Sequence, residues 1–197
     1  IIFQDITTDF IREQELHHDT RQLRNQNIQL QQQVITDPLT NTLNKQYLFH
    51  VLDEKNLKWM GIEGCSMLVI DIDNFKTIND THGHAKGDQM LLSFATFLKG
   101  FFRRSDKIIR FGGDEFIVLL PRTDIQSAAR IANNMMDRLK KNFESDPITV
   151  SVGVAELRPQ ESGQDWLNRA DKALYSAKHA GKNAVQAQDL SELEILN

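Results

Sequence analysis

Apolar residues fall along the chain in two rhythms. Residues 66–73 form a nearly continuous apolar run ending in Asp71-Ile72-Asp73, which predicts a central strand buried on both faces. Two shorter runs, 107–111 and 116–120, flank Gly112-Gly113-Asp114-Glu115 and predict a β-hairpin whose glycines supply positive φ in the turn. Residues 148–155 alternate as a strand, and 184–187 make a short last one. Elsewhere the apolar positions recur at helical spacing: Tyr47, Leu48, Val51 and Leu52 within 44–57, then 89–102, with Ala128, Ile131, Ala132, Met135 and Leu139 within 127–143. Leu167, Ala170, Ala173, Leu174 and Ala177 do the same within 166–180. Residues 74–88 read as a polar, glycine-containing connection into the helix that follows.

The first 35 residues keep a different beat. Residues 9–35 hold no Gly or Pro and are dense in Gln, Arg, Glu and Leu, so they predict one helix of about 39 Å. Leu16, Leu23 and Leu30 recur every seven residues, with Thr20, Asn27 and Val34 four residues after each. That is a heptad seam, and the Asn at an a position favours fixed register in a parallel two-stranded coil. It is read as a homodimer stalk that relays a signal. Residues 1–7, apolar and then Asp5-Ile6-Thr7, resemble the exit strand of a PAS sensor domain. Pro38 stops the stalk. The expected organisation is a sensor remnant over 1–8, a coiled-coil helix over 9–35, a main domain over 36–188 and an acidic tail over 189–197.

Composition narrows the classes. With 40% hydrophobic and 25% charged residues the chain reads as an ordinary globular protein, and its net charge of −4 speaks against a general nucleic-acid or membrane-surface binder. A single cysteine, Cys65, leaves no intrachain disulfide and fits a reducing compartment. No apolar run is long enough to span a bilayer, and no signal peptide opens the sequence. Because the first residue is Ile1, the chain is read as a fragment, cytoplasmic or the cytoplasmic part of a membrane-anchored protein.

The candidate chemistry gathers at two acidic spots. Asp114 and Glu115 sit beside two residues without side chains, so a ligand can approach the backbone, and adjacent carboxylates favour a hard cation such as Mg²⁺. Asp71 and Asp73 end the central strand, where α/β folds place active groups. Backbone N–H groups after that strand, with Lys76, can hold phosphates. Asn79 and Asp88 supply the amide and carboxylate that a guanine edge requires. His82 and His84 lack a third ligand and read as structural, and Arg103-Arg104 would place cations in a helix's last turn.

Gly112-Gly113-Asp114-Glu115-Phe116 is the signature for which the GGDEF family, the diguanylate cyclases, is named. The chain resembles that family from about 36 to 187. It carries Asp37-Pro38-Leu39-Thr40 and Leu43-Asn44-Lys45 at the domain entrance, the segments 71–80 and 83–88, and Ala170-Asp171-Lys172-Ala173-Leu174-Tyr175-Ser176-Ala177-Lys178 near the end. Gly181-Lys182-Asn183 stands where many members have Gly-Arg-Asn, so Lys182 keeps the charge and loses the bidentate fork.

The resemblance implies an α/β fold, a central mixed sheet flanked by helices, similar to the palm of nucleotide cyclases. It implies that two GTP are condensed to cyclic di-GMP and two pyrophosphates, with Mg²⁺ or Mn²⁺, two ions per GTP half-site. Asp71, the Ile72 carbonyl, Asp114 and Glu115 would hold metal, with Asp71, Asp114 and Glu115 the catalytic set. Asn74, Phe75, Lys76, Gly112, Gly113, Lys178 and Lys182 would meet the nucleotide's phosphates and backbone-facing side, while Asn79 and Asp88 read guanine. Arg103 and Asp106 match an Arg-x-x-Asp site for feedback inhibition by the product. Physical sense agrees: like charges about 4 Å apart repel by about 4 kcal/mol at an effective dielectric near 20, so three carboxylates meet a triphosphate only through divalent cations. Two alternatives remain, a silent receptor for GTP or cyclic di-GMP and a palm-type polymerase. The intact hairpin speaks against the first and the acidic chain against the second.

Overall fold

A strand buried at all eight of its positions, Cys65–Ile72 (β2), is the axis of the structure. This computed structural model describes residues 35–53, 57, 64–144 and 147–188. The sensor-like strand, the heptad helix apart from Ile35, and the acidic tail lie outside the described residues. From Asp37 onward the described residues belong to one unit.

The elements in order are β1 (Leu43–Asn44), α1 (Lys45–Leu52), β2, α2 (Phe75–His82), α3 (His84–Phe101), β3 (Lys107–Gly112), β4 (Glu115–Pro121), α4 (Ile125–Asn142), β5 (Val150–Glu156), α5 (Gly163–His179) and β6 (Val185–Gln188). The strands form one mixed sheet in the order β1-β3-β4-β2-β5-β6. The outer pairs β1–β3 and β5–β6 are parallel, and the inner three pairings are antiparallel. Among the described residues no helix is long and apolar enough to cross a membrane.

Both faces of the sheet are covered, which is why β2 reads as a continuous apolar run rather than an alternating one. Leu68, Ile70 and Ile72 of β2, with Phe116, Val118 and Leu120 of β4, pack under α3 and α4. Met67 and Val69, with Ile117 and Leu119, face α1 and α5. Helix α5 lies close on the sheet at Gly153, where an added Cβ would stand 2.2 Å from the Ala170 carbonyl oxygen and 2.3 Å from the Leu174 nitrogen. The Trp166 Nε1–H donates to the Ala155 carbonyl at 2.9 Å and fixes the other end of the contact.

Four sequence expectations need correction. Residues 74–88 are not a connection but mostly helix, α2 and the start of α3 broken at Gly83, whose φ of 81° reverses the chain in a single residue. Polarity misled there because α2 buries only Phe75. The helix expected from Asn44 starts one residue later, since the Asn44 side chain caps it by accepting from the Gln46 and Tyr47 N–H groups. Only Gly113 (φ 52°) takes positive φ in the hairpin turn. Gly112 ends β3 across from Glu115, just after a register shift that follows Arg110. Finally, α3 ends at Phe101, so Arg103 lies beyond the helix and cannot act as a last-turn cation.

Candidate active site

Parity along the strands decides what meets what. Successive side chains on a strand face opposite ways, so Asp71 continues the row of Met67 and Val69 toward α5, and Glu115 continues the row of Ile117 and Leu119. Asp71 and Glu115 are direct partners in the β2–β4 ladder, so two carboxylates end up side by side on the α5 face. The turn residue Asp114 is tied to the same strand end, its carbonyl accepting from the Ile72 N–H at 3.3 Å. Asp71, Ile72, Asp114 and Glu115 are therefore brought together.

Helix α5 brings the opposing charge. Lys178 Nζ lies 2.7 Å from Asp71 Oδ2, an ion pair with the carboxylate largely buried. Burial outweighs this partner and pushes the Asp71 carboxyl above its ordinary value, with Asp114 and Asp73 adding to the push. Glu115 is also raised, by burial first and then by the negative Asp71, with Lys178 opposing and Asp171 and Asp114 adding. Asp171, about two turns before Lys178 on the same face of α5, is raised by burial that Lys178 offsets only in part. One ammonium does not balance this group of carboxylates. Such a site gains from a cation, and all the donors are the hard oxygens that Mg²⁺ prefers. Among the described residues no three His, Cys, Asp or Glu side chains close a cage on one point. A Mg²⁺ here would take one or two carboxylates and leave the remaining positions to phosphate oxygens, its usual manner.

Around this centre stand the other candidates. Asn74 has φ 59° and begins α2 without capping it, because its Oδ1 accepts from Lys182 Nζ at 2.7 Å. The first-turn N–H groups of α2, at Phe75 and Lys76, thus have no side-chain cap. Asn79 Oδ1 is a buried acceptor with no hydrogen-bond partner. It is aimed over Gly87, where an added Cβ would stand 1.9 Å away. Asp88, Lys76, His82 and His84 are exposed. Arg103, exposed, and Asp106, half-buried, form a separate turn, closed by the Arg103 N–H donating to Asp106 Oδ2 at 2.9 Å and the Asp106 N–H donating to the Arg103 carbonyl at 3.0 Å.

The residue list read from the sequence omits three supports. Arg110 donates through Nε and Nη2 to the Gly113 carbonyl at 3.0 and 2.8 Å and pairs through Nη1 with Asp37 at 3.1 Å. Burial pushes the Asp37 carboxyl up, but the Thr40 hydrogen bonds and the Arg110 guanidinium outweigh it and hold the group below its ordinary value. The domain entrance and the hairpin turn are thus one assembly. The signal was present, since Asp37 opens a motif and Arg110 precedes the tetrad, but nothing in the spacing joins them. Gly87 is the second, and Asp73, noted in the sequence beside Asp71 but given no role of its own, is the third.

The comparisons agree with this picture. The family model described as "Diguanylate cyclase, GGDEF domain" matches residues 34–184. Diguanylate cyclase DgcM of Escherichia coli (strain K12) is 36% identical over 86% of this chain and 42% of its own length. Diguanylate cyclase A of Treponema denticola is 39% identical over 81% of this chain and 46% of its own. The chain thus spans less than half of these two relatives. Among solved structures, the coiled coil and GGDEF domain of DgcB from Caulobacter crescentus, in complex with c-di-GMP, superposes with a TM-score of 0.80 at 31% identity, covering 90% of this chain and 97% of that one. A six-stranded mixed sheet with its carboxylates at the β2 end and the β3–β4 turn defines a GGDEF fold. The chain belongs to the GGDEF-domain family of diguanylate cyclases.

Proposed function

We propose that this chain condenses two GTP into cyclic di-GMP and two pyrophosphates, acting as a homodimer in which each domain contributes one nucleotide. The observation that carries this reading is the pairing of Asp71 with Glu115 and Lys178, together with a buried acceptor on α2, Asn79 Oδ1, that lacks a donor. The first group suits a triphosphate with divalent cations, and the second suits the N–H edge of guanine, with Asp88 accepting from the same edge.

The residues divide the work. Asp71, the Ile72 carbonyl, Asp114 and Glu115 would hold Mg²⁺ or Mn²⁺, which when bound acidifies the ribose 3′-hydroxyl and neutralises charge on the triphosphate. Lys178 and Lys182 bring ammonium groups to the phosphates, and the uncapped N–H groups of Phe75 and Lys76 can donate to a phosphate at the start of α2. Gly112 and Gly113 leave open space beside the turn, where an added Cβ would meet nothing, so the nucleotide can lie against the backbone. Each product molecule contains two nucleotides and each domain has one such site, so each 3′-hydroxyl must attack the α-phosphate held by the partner domain. The stalk over 9–35 would bring the two together, and an upstream sensor would bias how often they face. Arg103 and Asp106, away from the carboxylates, would bind product and halt turnover.

Incubation with GTP and Mg²⁺, with the product identified by mass, tests this. Cyclic di-GMP with two equivalents of pyrophosphate is expected. GTP bound but unchanged would establish a receptor instead.

A further inference from the structure

Asp71 and Asp73 read in sequence as one acidic pair, but the structure gives them different work. Asp71 is paired with a lysine. Asp73 is 5% exposed and meets no cation within ion-pair distance among the described contacts; both its oxygens are taken by neutral donors. Oδ1 accepts the Ser151 hydroxyl at 2.7 Å, and Oδ2 accepts the Asn183 backbone N–H at 3.0 Å. Its own N–H donates to the Thr149 carbonyl at 2.9 Å. The carboxylate thus joins the end of β2 to β5 and to the loop that follows α5.

That loop is strained. Gly181, Lys182 and Asn183 have φ of 113°, 64° and 46°, three successive residues in the left-handed region, two of them with side chains. For Lys182 and Asn183, which carry side chains, such conformations are costly and persist only where their surroundings hold them. The Lys182 N–H donates back to the Ala177 carbonyl at 3.2 Å, and past the loop the Val152 N–H donates to the Ala184 carbonyl at 2.9 Å. Within the loop, the Asn183 N–H is held by Asp73. The same loop puts Lys182 Nζ on Asn74 Oδ1, beside the open start of α2.

We propose that Asp73 is a positioning residue that, through the Asn183 N–H, sets the left-handed loop carrying Lys182 and so aims the Lys182 ammonium at the phosphates of the bound nucleotide. This rests on the GTP reading above. Both Asp73 oxygens are engaged in the fold, by the Ser151 hydroxyl and the Asn183 N–H. A lysine delivers a point charge without the geometry of a guanidinium fork, so its reach depends on the backbone that carries it.

The test is a double-mutant cycle in the whole chain, reading the affinity for a non-hydrolysable GTP analogue with Mg²⁺ together with KM and kcat for GTP. Lys182→Ala should weaken analogue binding about tenfold, the value of one charge-assisted contact. Asp73→Ala should weaken it about as much, and the double variant should be no weaker than either. Asp73→Asn should stay within about threefold of the parent. Its carbonyl can take the Asn183 N–H while its NH₂ donates to Ser151 Oγ, which accepts as readily as it donates. A loss with Asp73→Asn as large as with Asp73→Ala would show that the charge matters and overturn the proposal, as would losses that multiply in the double variant. If Asp73→Ala does not fold, Ser151→Ala carries the test. It should cost about threefold in the parent and nothing in the Lys182→Ala background, and equal losses in both would overturn the proposal. A parent that binds no analogue would fell the GTP reading itself, whereas a parent that binds, with Asp73→Ala unchanged, fells only this one.

Discussion

At the scale of single residues, Glu115 and Gly87 carry the clearest consequences. Glu115 is raised by burial and by Asp71, so its charged form is disfavoured in the fold. The native state then binds more protons than the unfolded one between the ordinary carboxylate value and the raised one, and stability falls as pH rises through that window. Glu115→Gln should remove this slope and raise the melting temperature in metal-free buffer at neutral pH by about 2 °C, while abolishing turnover. Asp71→Asn should likewise end turnover with the fold kept, and a large loss of thermal stability would mark either residue as structural. Gly87→Ala places a methyl on Asn79 Oδ1 and should raise KM for GTP at least about tenfold, a loss comparable to one buried hydrogen bond, with smaller change in kcat. Titration of GTP and of a nucleotide lacking the guanine N–H edge checks this, since only the former should suffer. Asn79 and Asp88 stood out in the sequence as candidates for reading guanine, from type and order. Gly87 did not, because a glycine's reason lies in what stands above it in space.

At the scale of elements, the hairpin turn is held from outside. Arg110 spans the Gly113 carbonyl and Asp37, linking β3 to the domain entrance. Arg110→Ala leaves a largely buried Asp37 without its cation and should cost about 2 kcal/mol, read by denaturant unfolding, and lower turnover by more than the stability loss explains. The Asp37 contribution is present above the ordinary carboxylate value and is lost as pH falls through its lowered value, so the variant's deficit should shrink in acid. Arg103→Ala, in a turn apart from the carboxylates, should keep the initial rate and let product accumulate further before the reaction stalls. Equal stalling would mean that the site is not used. β2 and β4 were readable because their apolar runs are buried on both faces, and α4 and α5 because one face of each is apolar, whereas the two-residue, half-buried β1 was not read from the sequence. Helix α2 escaped because it buries a single residue, and the separation of Asp73 from Asp71 escaped because the apolar run was read as a strand through residue 73, whereas β2 ends at Ile72 and hydrogen bonding gives Asp73 its own task.

At the scale of the whole molecule, the account requires two copies. One domain offers one carboxylate pair and the buried acceptor Asn79 Oδ1 without a partner, and the proposed product of two nucleotides would need two such half-sites facing each other. The heptad seam over residues 9–35, with Asn27 between Leu23 and Leu30, is the feature of the sequence that can supply this. Its register is the natural place for regulation. Asn27→Leu should stabilise the coil, relax its register and shift activity. The most direct measurement is the initial rate per protein over a dilution series, for the intact chain and for the chain without residues 1–35, with association followed by sedimentation. The account predicts that the shortened chain stays folded and mostly monomeric and that its rate per protein climbs steeply with concentration, while the intact chain holds its rate to far greater dilution. A shortened chain that keeps the intact chain's rate at high dilution would contradict it.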